Sequence, residues 1–306
     1  MQSIQRGFAF FKQSWQMALA DKDLIKPSIM AMVVGFIVTL IMLVPMGVSA
    51  LIFGGSDLGS WVLGFWGLVL VFLQYLTGYV FSAMTIALIY GYLTEGDGRM
   101  DRAWTTVKRD FWDIVSLAGV SLLVHMLKSF LESKRRGRGN PILGALAGWL
   151  ATTLGVLWSE TTFLVLPVMV VEDVSLQDGL KRVFKIVKEN LLLVGVSTVG
   201  VGFVTGLIGF LLGATGIGLG LGVGLGIVSI GAENPVFIFG GIGLGVLIAS
   251  IFIMAATLIS TYTTTAYHTC LYLWARSVES ARQTGGGTAF KTNVAAPAPL
   301  AAVLQS

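Results

Sequence analysis

Residues 28–53 read "SIMAMVVGFIVTLIMLVPMGVSALIF", an apolar run without a charged side chain. A helix needs about 20 such residues to cross a hydrocarbon core that is about 30 Å thick. Further long apolar runs begin near Trp61, Trp112, Pro141, Leu191 and Val236. The sequence therefore predicts an all-α, polytopic membrane protein with six transmembrane helices.

The overall composition supports this class. The chain is 55% hydrophobic and only 12% charged, with a mean hydropathy of +0.83, whereas a soluble domain carries about 25% charged residues. The basic residues are spread among the gaps between the apolar runs, which argues against a nucleic-acid partner. A single cysteine, Cys270, excludes an internal disulfide framework. No histidine, cysteine and carboxylate cluster suggests a metal site, and we expect no cofactor.

The basic residues also indicate orientation. With the N-terminus in the cytoplasm, most of the 20 lysines and arginines fall in inside segments, as the positive-inside rule requires. We therefore expect a multi-pass protein of a prokaryotic inner (plasma) membrane with both termini cytoplasmic. The exception is "SKRRGRGNP" (133–141), which falls outside. The third run carries Asp113, His125 and Lys128, so the sequence leaves open whether residues 112–130 cross fully.

A short amphipathic segment precedes each odd-numbered span. These segments are "IQRGFAFFKQSWQMALADKDL" (4–24), "RAWTTVKRDFWDI" (102–114) and "SLQDGLKRVFKIVKENLLL" (175–193). Steps of three and four align one apolar face on each: Ile4, Phe8, Phe11, Trp15 and Leu19; Trp104, Val107 and Phe111; and Leu176, Leu180, Val183, Phe184 and Val187. The pattern predicts three units of an interfacial helix plus a hairpin within residues 1–277 (about 1–95, 96–172 and 173–277), then a flexible cytoplasmic tail, 278–306.

Basic residues flank each of these apolar faces, as in helices that bind the headgroup layer. The candidate headgroup contacts are Lys12, Arg102, Lys108, Lys181, Arg182 and Lys185. Membrane lipids are therefore expected partners. The alternative is that amphipathic helices beside spans are simply common in polytopic proteins.

Three segments carry a resemblance to known sequences: "SWQMALADKDLIKP" (14–27), "LWSETTFLVLPVMVVEDVSLQDGLKRVFKIVKEN" (157–190) and "TTAYHTCLYLWARS" (264–277). They resemble an uncharacterised prokaryotic family of six-span integral membrane proteins (a domain of unknown function). They are more distantly similar to the membrane domain of some glycerophosphoryl diester phosphodiesterases. The resemblance implies the six-span fold and no activity. Glu160, where an apolar or small residue is usual, and the glycine-rich stretch 213–231 depart from the pattern.

Two groups of intramembrane polar residues are candidates for function. Glu160 lies roughly 16 Å inside the fourth span by helical rise, where an ionised carboxylate is expensive. It is either an ion or proton site or a protonated acid hydrogen-bonded between helices. In the sixth span, the candidate residues are Thr261, Thr264, Thr265 and His268. They either hold helices together or line a polar path with Glu160.

Glycines are concentrated in the fifth run, where "GATGIGLGLGVGLGIVSIG" covers residues 213–231. Small residues at intervals of about four let helices approach closely, within or between subunits. The packing candidates are Gly202, Gly206, Gly209, Gly213, Gly218 and Gly222. Because glycine disfavours helix, residues 214–235 are either re-entrant or part of one long helix.

No protease motif or pair of intramembrane aspartates indicates catalysis. We therefore expect a non-enzymatic membrane protein with no catalytic residues, in a structural or assembly role. It would form a homo-oligomer or join a larger membrane complex, and bind the cytoplasmic leaflet. The alternative is an oligomeric channel or small-solute transporter, with a polar path near Glu160 and the sixth span.

Overall fold

The computed structural model describes residues 2–136, 141–189, 191–231, 233–285, 296–297 and 299–301. In this part of the chain every long element is an α-helix, and no strand occurs. The helices are α1 (Gln2–Ala20), α2 (Lys26–Phe53), α3 (Asp57–Glu95), α4 (Met100–Arg109), α5 (Phe111–Arg136), α6 (Pro141–Glu172), α7 (Leu176–Glu189), α8 (Leu191–Ile230) and α9 (Pro235–Gly285), with a short 3-10 turn at Lys22–Leu24.

Six helical segments of the described residues are long and apolar enough to cross a membrane. They are Lys22–Phe53, Asp57–Glu95, Phe111–Ser133, Gly144–Glu172, Val201–Ile230 and Pro235–Ser280. The protein is therefore an all-α, multi-pass membrane protein, as the sequence predicted. The third segment is part of one unbroken helix despite His125 and Lys128, so it has the length that a full crossing needs.

Local sequence signals set the helix ends. The Ser56 hydroxyl accepts a hydrogen bond from the Gly59 amide at 3.1 Å and caps the start of α3, as serine commonly does. Gly96 ends α3 in the left-handed region, at φ 81°, where glycine pays no steric penalty. Asn234 accepts from the Val236 amide at 2.9 Å and so caps α9.

The glycine-rich stretch belongs to one long helix. Helix α8 runs unbroken from Leu191 to Ile230, about 60 Å at 1.5 Å per residue. The turn to α9 falls between Gly231 and Asn234, and the re-entrant alternative for residues 214–235 is wrong. A backbone in hydrocarbon must satisfy its own hydrogen bonds, and a helix does so even where glycine propensity is poor.

The chain divides into two compact units. The first contains residues 1–20, 192–274 and 280–306, and therefore α1, α8 and most of α9. The second contains residues 21–191, hence α2 to α7, together with 275–279. Helix α9 continues to Gly285, past the boundary predicted at 277. In the predicted tail, Pro299 and Leu300 are buried.

Two of the amphipathic helices, α4 and α7, pack mainly on the span that precedes them. In the second unit, α4 packs on α3 and α7 packs on α6. Ala103 and Val107 are buried on α4, and Leu176 and Val183 on α7. The sequence predicted three units that each pair an amphipathic helix with the hairpin after it. The structure pairs it with the hairpin before it, because a tight turn folds the helix back.

An aspartate near the start of one hairpin caps the next amphipathic segment. Asp21 accepts from the Gly98 amide at 2.8 Å, just before α4. Asp113 accepts from the Leu176 amide at 3.0 Å, at the first residue of α7. Free amides at a helix start need such acceptors. The two contacts are the same device used twice, which supports the internal repetition predicted from the sequence.

Within the first unit, α1 packs on α9, which is again the second span of a hairpin. Phe10 meets Tyr267 edge to face at 5.3 Å, and the Tyr262 hydroxyl donates to the Ser14 carbonyl at 3.1 Å. The packed face of α1 coincides only partly with the predicted stripe: the Trp15 ring lies 5.6 Å from that of Tyr262 on α9, whereas Phe8 stays 46% exposed. The helix is apolar on more than one side, so Phe10 and Ser14, outside the stripe, also pack on α9.

Candidate functional site

Three spans of the second unit share a hydrogen-bonded centre. Ser121 on α5 is buried, and its Oγ lies 2.7 Å from the Tyr79 hydroxyl on α3. The same oxygen accepts from Trp158 Nε1 on α6 at 3.0 Å. Ser121 is about 15 Å along α5 from Phe111, near the middle of its span. Polar groups at this depth are stable only when paired, and these three are.

A second polar layer lies one helical turn nearer the end of the α5–α6 hairpin. Tyr75 stacks on Tyr79 with ring centroids 5.9 Å apart. His125 meets the Tyr75 ring edge to face at 6.3 Å. Because α3 and α5 are antiparallel, steps of four on both helices bring Tyr75 and Tyr79 opposite His125 and Ser121.

Lys128 forms the third layer. Its Nζ lies 3.9 Å from Glu132 Oε1. The side chain lies along α6 beside Gly155, where an added Cβ would be 3.4 Å from Nζ. The side chains of Lys128 and Glu132 are 43% and 45% exposed. We call the whole arrangement the polar column; its residues are Tyr75, Tyr79, Ser121, His125, Lys128 and Trp158.

The polar column closes at its other end. Thr162, one turn beyond Trp158, bonds back to the Trp158 carbonyl at 2.8 Å. Beyond it the second unit is packed with fully buried apolar side chains, among them Leu88, Ile114, Leu117, Ala118 and Val165. The column therefore reaches from the α5–α6 end to mid-span and stops at a solid apolar layer.

The structure places Glu160 outside the polar column. It is two residues from Trp158 on α6, hence rotated by about 200° around the helix axis, and it is half-buried. Glu160 belongs to the second unit, whereas Thr261, Thr264, Thr265 and His268 belong to the first. A role of Glu160 as an ion or proton site stays a prediction.

The polar segment of α9 holds α1. Trp15 Nε1 donates to Thr263 Oγ1 at 3.1 Å, beside the bond from Tyr262 to Ser14. His268 is buried, and its Nδ1 lies 2.8 Å from the Thr264 carbonyl of its own helix. Thr265 is also buried, and its carbonyl accepts from Thr269. These contacts favour the helix-joining interpretation of this segment over a polar path.

The glycines that pack α8 against α9 are not the ones predicted from the sequence. A Cβ at Gly245 would lie 2.5 Å from the Gly220 carbonyl oxygen, and one at Gly241 would lie 2.6 Å from that of Gly224. Helices α8 and α9 therefore meet backbone to backbone along a row at steps of four. At the predicted packing glycines an added Cβ would meet no described atom within 4 Å; these are Gly202, Gly206, Gly209, Gly213, Gly218 and Gly222.

The register error has a physical cause. Glycine occurs at almost every second position of α8, so several rows at steps of four compete, and only contact with α9 selects one. The six predicted glycines do not pack helices within the described chain. Their packing between subunits stays a prediction.

The predicted headgroup cations fall into two groups. Arg102 pairs with Glu95, Lys181 with Asp178 at 3.0 Å, and Lys185 with Glu279 at 3.3 Å. The Lys181 ammonium beside Asp178 lowers the pKa of that carboxyl, and the Ser175 hydroxyl adds to the effect. Among the described residues, Lys12 and Lys108 have no such carboxylate.

Arg182 is a structural cation. It is only 27% exposed and lies 2.6 Å from Glu279 and 3.5 Å from Glu172. It therefore ties α7 to the end of α6 and to residues 275–279 of the second unit. Lys108, by contrast, is exposed and sits 5.6 Å from the centroid of the Trp104 ring, an arrangement typical of a cation–π contact.

The sequence reasoning missed Tyr75, Tyr79, Ser121 and Trp158. A usable signal was present: tyrosines four apart on one span, and a serine and histidine four apart on the next. The described residues contain no group of three His, Cys, Asp or Glu side chains that could hold a metal ion. No family model matches the chain, and no curated protein matches it.

Proposed function

We propose that this chain is a non-enzymatic membrane protein with a structural or assembly role, which oligomerises and binds one leaflet through its amphipathic helices. The leaflet is the cytoplasmic one of a prokaryotic inner membrane, with both termini in the cytoplasm. The positive-inside pattern supports this orientation. The resemblance to the six-span prokaryotic family is consistent with it.

The main observation behind the proposal is how α4 and α7 are fixed to the neighbouring spans. Each is held at its start by an aspartate and along one face by a span. The opposite side stays open, with Trp104 on α4 44% and Phe184 on α7 73% exposed and Lys108 over the Trp104 ring. Aromatic and basic side chains together suit the headgroup layer. Because α4 and α7 are held in place on the spans, they can present these side chains to the membrane surface.

Depth-dependent quenching tests the leaflet contact. The native Cys270 is buried, so a fluorophore can be directed to a cysteine introduced by Phe184→Cys. In vesicles containing an anionic lipid, we expect lipid-attached quenchers to reach this label. Asp178→Cys, exposed on the same helix but about 120° around its axis from Phe184, is the matched control and should stay unquenched. Equal quenching at both positions would contradict the proposal.

Glycines of α8 that contact no other described helix support the proposal that the protein oligomerises. A face without side chains allows a second helix to approach closely, and such faces are common at helix interfaces in membranes. We expect Gly218→Leu and Gly222→Leu to shift the detergent-solubilised protein toward monomer in native mass spectrometry. Gly64→Leu on α3, another open position, is the control. A monomeric wild type would refute oligomerisation.

Passage of a small polar solute is the second candidate. The polar column favours it, because unpaired polar side chains inside a membrane usually serve a function. The packed apolar layer beyond Thr162 counts against an open pore. Solute flux in proteoliposomes that Ser121→Ala abolishes would raise this candidate above the first.

A further inference from the structure

The outer two layers of the polar column have hydrogen-bonding capacity that the described protein does not use. The Tyr75 hydroxyl and the His125 imidazole take part only in ring contacts. The Lys128 ammonium is 3.9 Å from Glu132, beyond hydrogen-bond distance. Unpaired polar groups are costly in an apolar medium. The part of the chain that the structure describes therefore leaves these three groups open to a partner from outside it.

The three groups are all able to donate. A phenol O–H, an imidazole N–H and an ammonium lie on adjacent turns of α3 and α5, and of the three only Lys128 has a carboxylate nearby among the described residues. Gly155 lets the lysine stem lie against α6, since any side chain there would occupy the space beside Nζ. Several donors around one cation suit an anionic oxygen group such as a phosphate.

The surroundings identify the carrier of that group. On α5, Leu123, Leu127 and Phe130 flank the polar residues and are 64%, 50% and 58% exposed. Lys128 lies about 26 Å along α5 from Phe111, near the far end of the span. That depth matches the headgroup boundary of the leaflet opposite α4 and α7. A molecule binding here would contact apolar and cationic side chains together.

We propose that Tyr75, His125 and Lys128 form a binding site for the phosphate of an anionic lipid. The lysine ammonium pairs with a phosphate oxygen, the histidine and tyrosine donate to the same group, and an acyl chain lies along Leu123 and Leu127. The site is independent of the leaflet contact proposed for α4 and α7, because it lies in the other half of the bilayer.

Native mass spectrometry of the full chain, titrated with phosphatidylglycerol, tests the site. We expect Lys128→Gln to weaken lipid binding about tenfold, the loss of one charge-assisted hydrogen bond. Lys128→Arg should bind nearly as the wild type does. Glu132→Gln should bind more tightly, because it removes the competing carboxylate. Lys22→Gln, the same charge change on an exposed residue outside the column, should have no effect.

Three outcomes would overturn the proposal. The first is equal binding of phosphatidylglycerol to the wild type and to Lys128→Gln. The second is equal binding of zwitterionic phosphatidylcholine. The third is displacement of the lipid by millimolar inorganic phosphate, which would indicate a site for a soluble anion. If Lys128→Gln fails to fold, the other two variants decide the question. The proposal then requires tighter lipid binding by Glu132→Gln and unchanged binding by Lys22→Gln.

Discussion

Replacing Gly245 with alanine tests whether backbone approach holds α8 to α9. The new Cβ would lie 2.5 Å from the Gly220 carbonyl oxygen. Carbon and oxygen atoms in close contact are normally about 3.3 Å apart or more. The helices must therefore separate by about 0.8 Å at this level, and the contacts at Gly241 and Gly224 would loosen with them.

Two effects of opposite sign set the magnitude. Forcing an extra carbon into a packed contact costs about 1–3 kcal/mol. Replacing glycine with alanine inside a helix stabilises the helix by up to about 1 kcal/mol. Gly243→Ala should gain the same helix stability without the clash, because a Cβ there meets nothing within 4 Å. The helix term cancels between the two variants, so Gly245→Ala should be less stable by about 1–3 kcal/mol.

Reversible unfolding in mixed micelles, followed by circular dichroism, measures this difference as a free energy of unfolding. A second pair on the facing helix, Gly224→Ala and the open Gly226→Ala, should show the same order with a smaller gap. The reason is that the contact at Gly224 is longer, at 2.9 Å. Equal stabilities within each pair, or a reversed order, would refute the assigned packing row.

Three further changes concern the amphipathic helix α7. Asp113→Ala removes the acceptor at its first residue and should cost about 1 kcal/mol, the usual value of a helix cap; hydrogen exchange should quicken there and not in α4. Arg182→Gln should lower the free energy of unfolding by about 1–2 kcal/mol, because the half-buried Glu279 loses the nearer of its two cations and keeps only Lys185. In a double-mutant cycle with Glu279→Gln the two losses should not add. Because Lys181 lowers the pKa of Asp178, the local stability that this carboxylate contributes is present above pH 3.8 and is lost as the pH falls through the lower folded pKa. Amide protection in the first turn of α7, measured as the intrinsic exchange rate divided by the observed rate at each pH, should therefore stay steady from about pH 7 to 5 and fall only below pH 3.8.

The membrane class, the six spans and the places of the amphipathic helices could all be read from the chain. Each depends on local properties: the length of an apolar run, or steps of three and four over a few turns. The Gly96 turn and the Pro235 start are local as well. These features do not depend on which helix lies next to which.

The candidate site was only partly readable. His125 and Lys128 were noticed because they are charged or polar inside an apolar run, but only as a question about whether that run crosses the membrane. Tyr79, Ser121 and Trp158 did not, because a serine or an aromatic residue in a span is ordinary until it meets a partner. Glu160 drew attention by its charge, yet it lies on another side of α6 from Trp158.

What the sequence determined by itself is that lipid surrounds these helices and roughly where most of them begin, since hydropathy and helix capping act within a few residues. The tertiary structure alone decided which glycine row packs, which hairpin carries each amphipathic helix, and which polar side chains meet. In water an apolar stripe marks the face of a helix that must be buried. In lipid every face is apolar, so the choice of partner falls to close packing and to a few hydrogen bonds.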